Sequence, residues 1–184
     1  MARRTVEKDS AAVWDTETTG LILHPDAPLD KQPRIVELAL VRLSRKDGKV
    51  LKRNSWLVNP LCPIPPDASR IHGITDEAVR DQPTFPELWP KIRAEFLKCE
   101  TAIAHNSPFD VAVLTHELRR NALAPIDCRH IDTIGLYREE WGFDPKLTQL
   151  FEAVTGKTFD QKHRAAGDVD ALIEIVQAGE LWRL

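Results

Sequence analysis

Two carboxylates at the end of the first predicted strand, Asp15 and Glu17, are the first candidates for chemistry. In an extended chain, residues two apart point to the same face, so these side chains project together. Like charges side by side on a sheet repel one another unless a cation lies between them. An isolated Asp-x-Glu can equally be the solvated end of a strand, so this pair alone does not establish a metal site.

Two further acids each begin a predicted helix and share its apolar face. Asp110 precedes apolar residues at i+3, i+4 and i+8, and Asp168 precedes Leu172 and Val176 at i+4 and i+8. This alignment predicts that both acids face the interior, where a carboxylate needs a partner or a metal. Asp170 lies on another side of its helix and is predicted to be exposed. Each buried acid could also be a helix-start residue favoured by the dipole, or pair with an arginine.

A single metal site that gathers Asp15, Glu17, Asp110 and Asp168 explains all four acids together. Ligation by carboxylate oxygens alone suits hard dications such as Mg²⁺ or Mn²⁺ and is poor for zinc. Four carboxylates can hold two such ions roughly 4 Å apart, the arrangement that clamps the attacking and leaving oxygens in phosphodiester cleavage.

A histidine lies close to the last of these acids. His163 precedes Asp168 by five residues and belongs to a polar stretch ahead of the helix. Because imidazole titrates near neutral pH, it can take a proton from an attacking water. A single loop histidine can also be merely solvent-exposed, but beside four acids we interpret His163 as the general base.

The elements that must position these residues indicate an α/β fold. A hairpin with an Asp-Gly turn at 47–48 is followed by alternating strands and helices, which predicts a mixed sheet of about five strands, one antiparallel, flanked by helices. No linker divides the chain, so we expect one domain over 10–184 after a flexible tail, 1–9. The predicted strands are 10–15, 34–43, 49–59, 101–104 and 129–132; the predicted helices are 85–98, 109–121, 133–141, 146–155 and 166–178, with short helical turns in 69–80.

Composition narrows the class of protein. The chain has 184 residues, 42% of them hydrophobic, and 25 basic against 28 acidic side chains give a net charge of −3. This balance argues against a broad basic coat but does not exclude a nucleic-acid enzyme. No stretch approaches the ~18 apolar residues of a transmembrane helix, and the charged start is unlike a secretory signal. Cys62, Cys99 and Cys128 fit neither a zinc site nor a disulfide framework, so a cytoplasmic location is expected.

Four motifs occur in a recognisable order: WDTETTG at 14–20, IHGIT at 71–75, AHNSPFD at 104–110, and His163 through Asp168. In these residues the sequence resembles the DnaQ-like, DEDD-type 3′→5′ exonucleases of the ribonuclease H-like fold, which include proofreading exonucleases of the DNA polymerase III epsilon type. The resemblance extends over residues 10–178. The five-residue gap between His163 and Asp168 marks the DEDDh subtype, in which a histidine is the base.

The resemblance implies a role for each catalytic position. Asp15 would bridge two metal ions, Glu17 and Asp168 would complete the tighter site, and Asp110 would hold the second ion. His163 would deprotonate the attacking water, so that a nucleoside 5′-monophosphate is released.

The resemblance also implies contacts to the terminal nucleotide. The segment 18–21 would line that nucleotide, with Leu21 as an apolar wedge. For three of the implied contacts a structural role is the alternative: His72 could cap a loop and a helix, Asn106 could be a turn amide, and Phe109 could be a core aromatic. The implied contact residues are Thr18, Gly20, Leu21, His72, Asn106 and Phe109.

These features predict a metal-dependent exonuclease that trims 3′ ends of single-stranded DNA in proofreading or repair, with two Mg²⁺ or Mn²⁺ ions. An exoribonuclease that trims RNA is the alternative. A catalytically silent, polymerase-associated module that binds nucleic acid is a third hypothesis, which the intact acids oppose. The expected partners are 3′ ends of single-stranded DNA or of RNA, with a DNA polymerase subunit or a second copy of the chain compatible with the sequence. No membrane is expected, and the short tail after the last helix favours a free-standing enzyme or a small subunit.

The predicted hairpin carries an excess of positive charge, with six cations against one acid between residues 42 and 53. These cations could follow a nucleic-acid backbone, or could protect a sheet edge from unwanted pairing. Both interpretations stay open at this point. The cations are Arg42, Arg45, Lys46, Lys49, Lys52 and Arg53.

Overall fold

A five-stranded mixed sheet forms the centre of the protein, for which a computed structural model describes residues 8–24, 27–159 and 163–184. The strand order is β3-β2-β1-β4-β5, and β2 is antiparallel to both of its neighbours, whereas β1, β4 and β5 pair in parallel. The predicted sheet with one antiparallel strand is therefore confirmed. The strands are β1 (Ser10–Thr18), β2 (Ile35–Ser44), β3 (Val50–Leu57), β4 (Cys99–Ala104) and β5 (Arg129–Asp132).

Helices cover both faces of this sheet. One apolar cluster joins a sheet face to the last two helices, and a second joins the opposite face to the third and fourth. Among the described residues, no helix combines the length and the apolar character needed to cross a membrane. The helices are α1 (Pro66–His72), α2 (Asp76–Val79), α3 (Phe85–Phe96), α4 (Ser107–Arg120), α5 (Thr133–Trp141), α6 (Leu147–Thr155) and α7 (Ala165–Ala178).

Helix and strand boundaries follow local chemistry and differ from the predicted ones by up to three residues. β3 ends at Leu57 rather than at 59, β4 begins at Cys99 rather than at 101, α3 ends at Phe96 rather than at 98, and α1 begins at Pro66 rather than at 69. β1 extends three residues further, to Thr18, because it pairs with β2 along its whole length. α4 begins at Ser107, two residues early, since Pro108 is tolerated in a first helical turn, where its missing N–H costs nothing. The predicted start of α3 is confirmed: Thr84 is its N-cap residue, and Glu87 Oε2 accepts from the Thr84 backbone N–H and from its hydroxyl at 2.7 Å each.

Nearby carboxylates neutralise most of the cations of the basic hairpin. Five of the six cations lie within 4.0 Å of a carboxylate, and the Glu95 carboxylate forms ion pairs with both Arg42 and Lys52 at 2.9 Å each. The outer strand of the hairpin, β3, is an edge of the sheet. This pairing favours the edge-protecting interpretation over a surface that follows nucleic acid.

Candidate active site

The alternation of side chains along β1 sends its acids to one face of the sheet and its threonine to the other. Val13 packs in the cluster formed with α6 and α7, whereas Trp14 packs in the cluster formed with α3 and α4. Asp15 and Glu17 continue the α7 side, and Thr16 continues the α4 side. The end of β1 can therefore meet residues from both layers of helices.

Three carboxylates meet at this end of β1. One oxygen from each of Asp15, Glu17 and Asp168 lies within 4.8 Å of the other two. Asp168 is contributed by the first turn of α7 and is buried, whereas Asp170 is exposed, as the spacing of the apolar residues predicts. The geometry thus brings together three of the four predicted metal ligands.

Asp110 approaches from the α4 side and is held by Thr16. Its Oδ1 accepts hydrogen bonds from the backbone N–H of Thr16 at 3.0 Å and from the Thr16 hydroxyl at 2.7 Å. It is 2% exposed, which confirms that the acid faces the interior. Among the described residues it is not part of the group of three acids, although its charge is one of those that act on Asp15.

Burial and mutual repulsion make these acids hard to ionise. Burial, and then the neighbouring carboxylates of Asp110 and Glu17, raise the pKa of Asp15 well above its usual range. Burial and Asp168 raise the pKa of Glu17 to about 8. For Asp110, burial raises the pKa to about 7 although the hydrogen bonds from Thr16 lower it. A bound dication would relieve this repulsion between carboxylates, and an all-oxygen donor set fits Mg²⁺ or Mn²⁺.

We expect the stability of the metal-free protein to fall as pH rises. A carboxyl whose folded pKa is raised stabilises the fold fully below its unfolded pKa, and this contribution is lost as pH rises through the folded value. For Glu17 the window runs from 4.5 to about 8. Melting in EDTA should give a Tm on the order of 5 °C lower at pH 8 than at pH 5. Mg²⁺ should restore it at pH 8, and Glu17→Gln should flatten the slope; a metal-free Tm that rises over this range contradicts the assignment.

The predicted base lies in the turn that leads into α7. His163 is exposed, and its backbone has a φ of 46°, the left-handed conformation that few residues other than glycine adopt. The next residue, Arg164, caps the helix that carries Asp168. The structure therefore places the imidazole and a carboxylate of the cluster at the same helix start.

A cavity of about 530 Å³ opens beside the carboxylates. Its volume is in the range of small-ligand sites, and Glu17 belongs both to its wall and to the carboxylate cluster. Leu21 and Ile71 are 79% and 58% exposed, so a ligand here would cover apolar surface. Five of the six predicted nucleotide contacts line this cavity: Thr18, Gly20, Leu21, His72 and Phe109.

The sixth predicted contact, Asn106, is not among the described residues that line the cavity. It is exposed at the start of α4 and has a left-handed φ of 66°. Phe109 lines the cavity and also packs on the apolar cluster under α4, so it is a core aromatic, and its contact to a nucleotide stays a prediction.

His72 contacts backbone on both sides of its ring. Its Nδ1 accepts a hydrogen bond from the Ile74 N–H at 3.0 Å, so its Nε2 carries the proton and donates to the Thr18 carbonyl at 3.2 Å. Burial lowers the pKa of His72, which favours this neutral form. The ring thus fixes the end of β1 in the wall of the cavity.

Sequence reasoning missed the residue that holds the segment after Leu21. The buried Gln32 accepts from the Leu23 N–H at 3.0 Å and donates to the His24 carbonyl at 3.1 Å. Leu23 also lines the cavity. No local pattern marks Gln32, because its partners are backbone groups brought near by a proline-containing loop.

The family relationship follows from comparison of the whole chain. The exonuclease family model, RNase_T, matches residues 12–176. The chain belongs to this exonuclease family. The exonuclease is 32% identical over 170 residues to DNA polymerase III subunit epsilon of Treponema pallidum, covering 88% of this chain and 72% of that protein.

Other relatives are much longer than this exonuclease. It is 31% identical to the PolC-type DNA polymerase III of Clostridium perfringens and 30% identical to the 3′-5′ exonuclease DinG of Bacillus subtilis. These matches cover 92% and 90% of this chain but only 11% and 17% of the two proteins. The chain therefore spans under a fifth of either relative.

Solved structures agree with this relationship. Exonuclease X, solved in complex with 5′ overhanging duplex DNA, is 30% identical with a TM-score of 0.64, over 92% of this chain and 93% of that chain. A 3′-exonuclease solved in work on histone mRNA stem-loop recognition is 18% identical with a TM-score of 0.76, over 95% and 82%, and shows the fold alone. The predicted ribonuclease H-like fold and the predicted 3′→5′ exonuclease class are confirmed, and this family generally depends on divalent metal ions.

Proposed function

We propose that this exonuclease removes nucleotides from the 3′ ends of single-stranded DNA and releases nucleoside 5′-monophosphates. One observation carries the proposal: Glu17 lines the cavity and also belongs to the carboxylate cluster. A terminal nucleotide in the cavity would therefore present its phosphate to the acids. The relatives that act with DNA by name, at 30% identity or more, support DNA as the substrate.

The shape of the cavity favours a frayed or single-stranded end. Leu21 and Ile71 present exposed apolar side chains, against which an unstacked base or sugar can pack. A base held there cannot also be paired and stacked in a duplex. The wedge role of Leu21 belongs to this proposal.

The four acids would hold two Mg²⁺ or Mn²⁺ ions, Asp15, Glu17 and Asp168 on one side and Asp110 on the other. When bound, such ions neutralise charge on the phosphate and act as Lewis acids. The chain itself supplies the alignment. Thr16 fixes Asp110 through two hydrogen bonds, and His72 fixes the end of β1 through the Thr18 carbonyl.

His163 would accept the proton of the attacking water at an imidazole nitrogen. Its exposed position at the start of α7 lets solvent reach the ring and lets the ring release that proton after each turnover.

We further propose a cytoplasmic role in proofreading or repair, with a DNA polymerase subunit as a partner.

Digestion of matched oligonucleotides tests the substrate. Single-stranded DNA and RNA of one sequence, labelled at the 5′ end, are incubated with the protein and Mg²⁺ or Mn²⁺. We expect a ladder that shortens from the 3′ end, with kcat/KM on DNA at least about tenfold above RNA, because recognition of the 2′-hydroxyl separates the two. Faster digestion of RNA would replace this proposal by an exoribonuclease, and internal cuts would contradict exonuclease action.

A further inference from the structure

A buried acid, Glu37, lies next to the carboxylate cluster and has no part in the proposed chemistry. Glu37 is 2% exposed and stands directly opposite Glu17 in the pairing of β1 with β2. Two glutamates that face each other across strands repel one another, and the repulsion is screened less where one of them is buried. A compensating interaction must therefore keep Glu37 in place.

Four donors converge on this carboxylate. Arg164 donates from Nε to Oε2 at 2.9 Å and from Nη2 to Oε1 at 3.0 Å, which is a bidentate ion pair. The Ala165 N–H donates to Oε2 at 3.2 Å, and the Ser55 hydroxyl donates to Oε1 at 3.1 Å. Both oxygens of Glu37 are therefore engaged with the protein.

The arginine of this pair joins two parts of the active site. Arg164 follows His163 directly, and its backbone carbonyl accepts from the Asp168 N–H at 2.9 Å. Its side chain is tied to β2 while its backbone starts the helix that carries Asp168. Any displacement of Arg164 relative to β2 would move both the histidine and the carboxylate relative to β1.

The backbone at His163 supports the same conclusion. A left-handed φ of 46° is unfavourable in a residue with a side chain and persists when neighbouring contacts enforce it. The bidentate bond of the adjacent arginine, together with the Ala165 N–H, provides such contacts.

We propose that Glu37 and Arg164 are positioning residues: their ion pair fixes the start of α7 on β2 and so sets His163 and Asp168 against the acids of β1. The part of this inference that concerns His163 rests on the proposed exonuclease function. Neither residue is required to touch the substrate.

Substitution of Arg164 tests the inference, because its side chain is 45% exposed and can be changed without opening the core. Arg164→Gln removes the charge, and Arg164→Lys keeps it but loses the planar fork. Arg53→Gln is the matched control, since Arg53 also pairs with α7, through the exposed Asp170. The readouts are kcat and KM on single-stranded DNA, Tm, and amide hydrogen exchange of residues 163–170 in the metal-free protein.

We expect kcat to fall about 10- to 100-fold in Arg164→Gln and about 10-fold in Arg164→Lys, with KM within about threefold. Exchange at residues 163–170 should be about tenfold faster or more in both variants, because the helix start is no longer held. Arg164→Lys should keep the Tm of the wild type, and the control should match the wild type throughout.

The inference is overturned if Arg164→Lys keeps both kcat and exchange within twofold of the wild type. It is equally overturned if only KM rises while kcat is unchanged, because Arg164 would then be a substrate contact. A fall in kcat without faster amide hydrogen exchange at residues 163–170 would overturn it as well. A wild-type protein without nuclease activity would refute the proposed function instead; the exchange of the metal-free variants would still decide whether the pair holds the start of α7.

Discussion

Replacement of Asp15 by Asn is expected to lower kcat/KM on single-stranded DNA by at least about 10³-fold while raising the Tm of the metal-free protein at pH 8. Activity falls because Asp15 lies within 4.8 Å of both other acids of the cluster, and several kcal/mol of transition-state stabilisation depend on ions held there. Stability rises because a neutral amide removes a buried charge whose neighbours repel it.

Asp170→Asn is the matched control for this substitution. Asp170 is an exposed acid two residues from Asp168, and its side chain pairs with Arg53 at the surface. We expect activity and Tm close to the wild type, since surface ion pairs contribute little. Retention of activity in Asp15→Asn, or equal losses in both variants, would contradict the placement of the metal site.

Replacement of His163 by Ala is expected to lower kcat by about 10² to 10⁴-fold, the usual contribution of a general base. Binding of Mn²⁺, measured by calorimetry, should stay within about threefold of the wild type, because the carboxylate cluster is formed by Asp15, Glu17 and Asp168 without the histidine. Since His163 is exposed, the fold should keep its Tm.

His116→Ala serves as the control, because His116 lies on α4 and is not among the described residues that line the cavity. It should retain wild-type kcat. A collapse of Mn²⁺ affinity in His163→Ala would show that the histidine is a metal ligand, and an unchanged kcat would remove its role as base.

The faces of the site residues could be predicted from sequence because periodicity reports them directly. Apolar residues at i+4 and i+8 place Asp168 inside and leave Asp170 outside, and the structure has both where expected. The alternation in β1 likewise puts Asp15 and Glu17 on one face.

Contacts between distant segments could not be predicted in this way. Thr16 and Asp110 are 94 residues apart, and Arg164 and Glu37 are 127 residues apart. These contacts depend on the register between β1 and β2 and on where each helix begins against the sheet. A local pattern of charge reports neither the strand register nor the position of a helix start. For the same reason the sequence of the basic hairpin allows two interpretations, and only the pairing of its cations with acids such as Glu95 and Asp170 favours one of them.

The most direct test of the account is a crystal structure of the protein with Mn²⁺ and a deoxynucleoside 5′-monophosphate, with anomalous scattering measured for manganese. We expect manganese peaks against Asp15, Glu17 and Asp168 and against Asp110, with the phosphate of the nucleotide toward them and its base in the cavity beside Leu21. Manganese bound elsewhere, or no manganese at these carboxylates in a preparation that digests DNA, would contradict it.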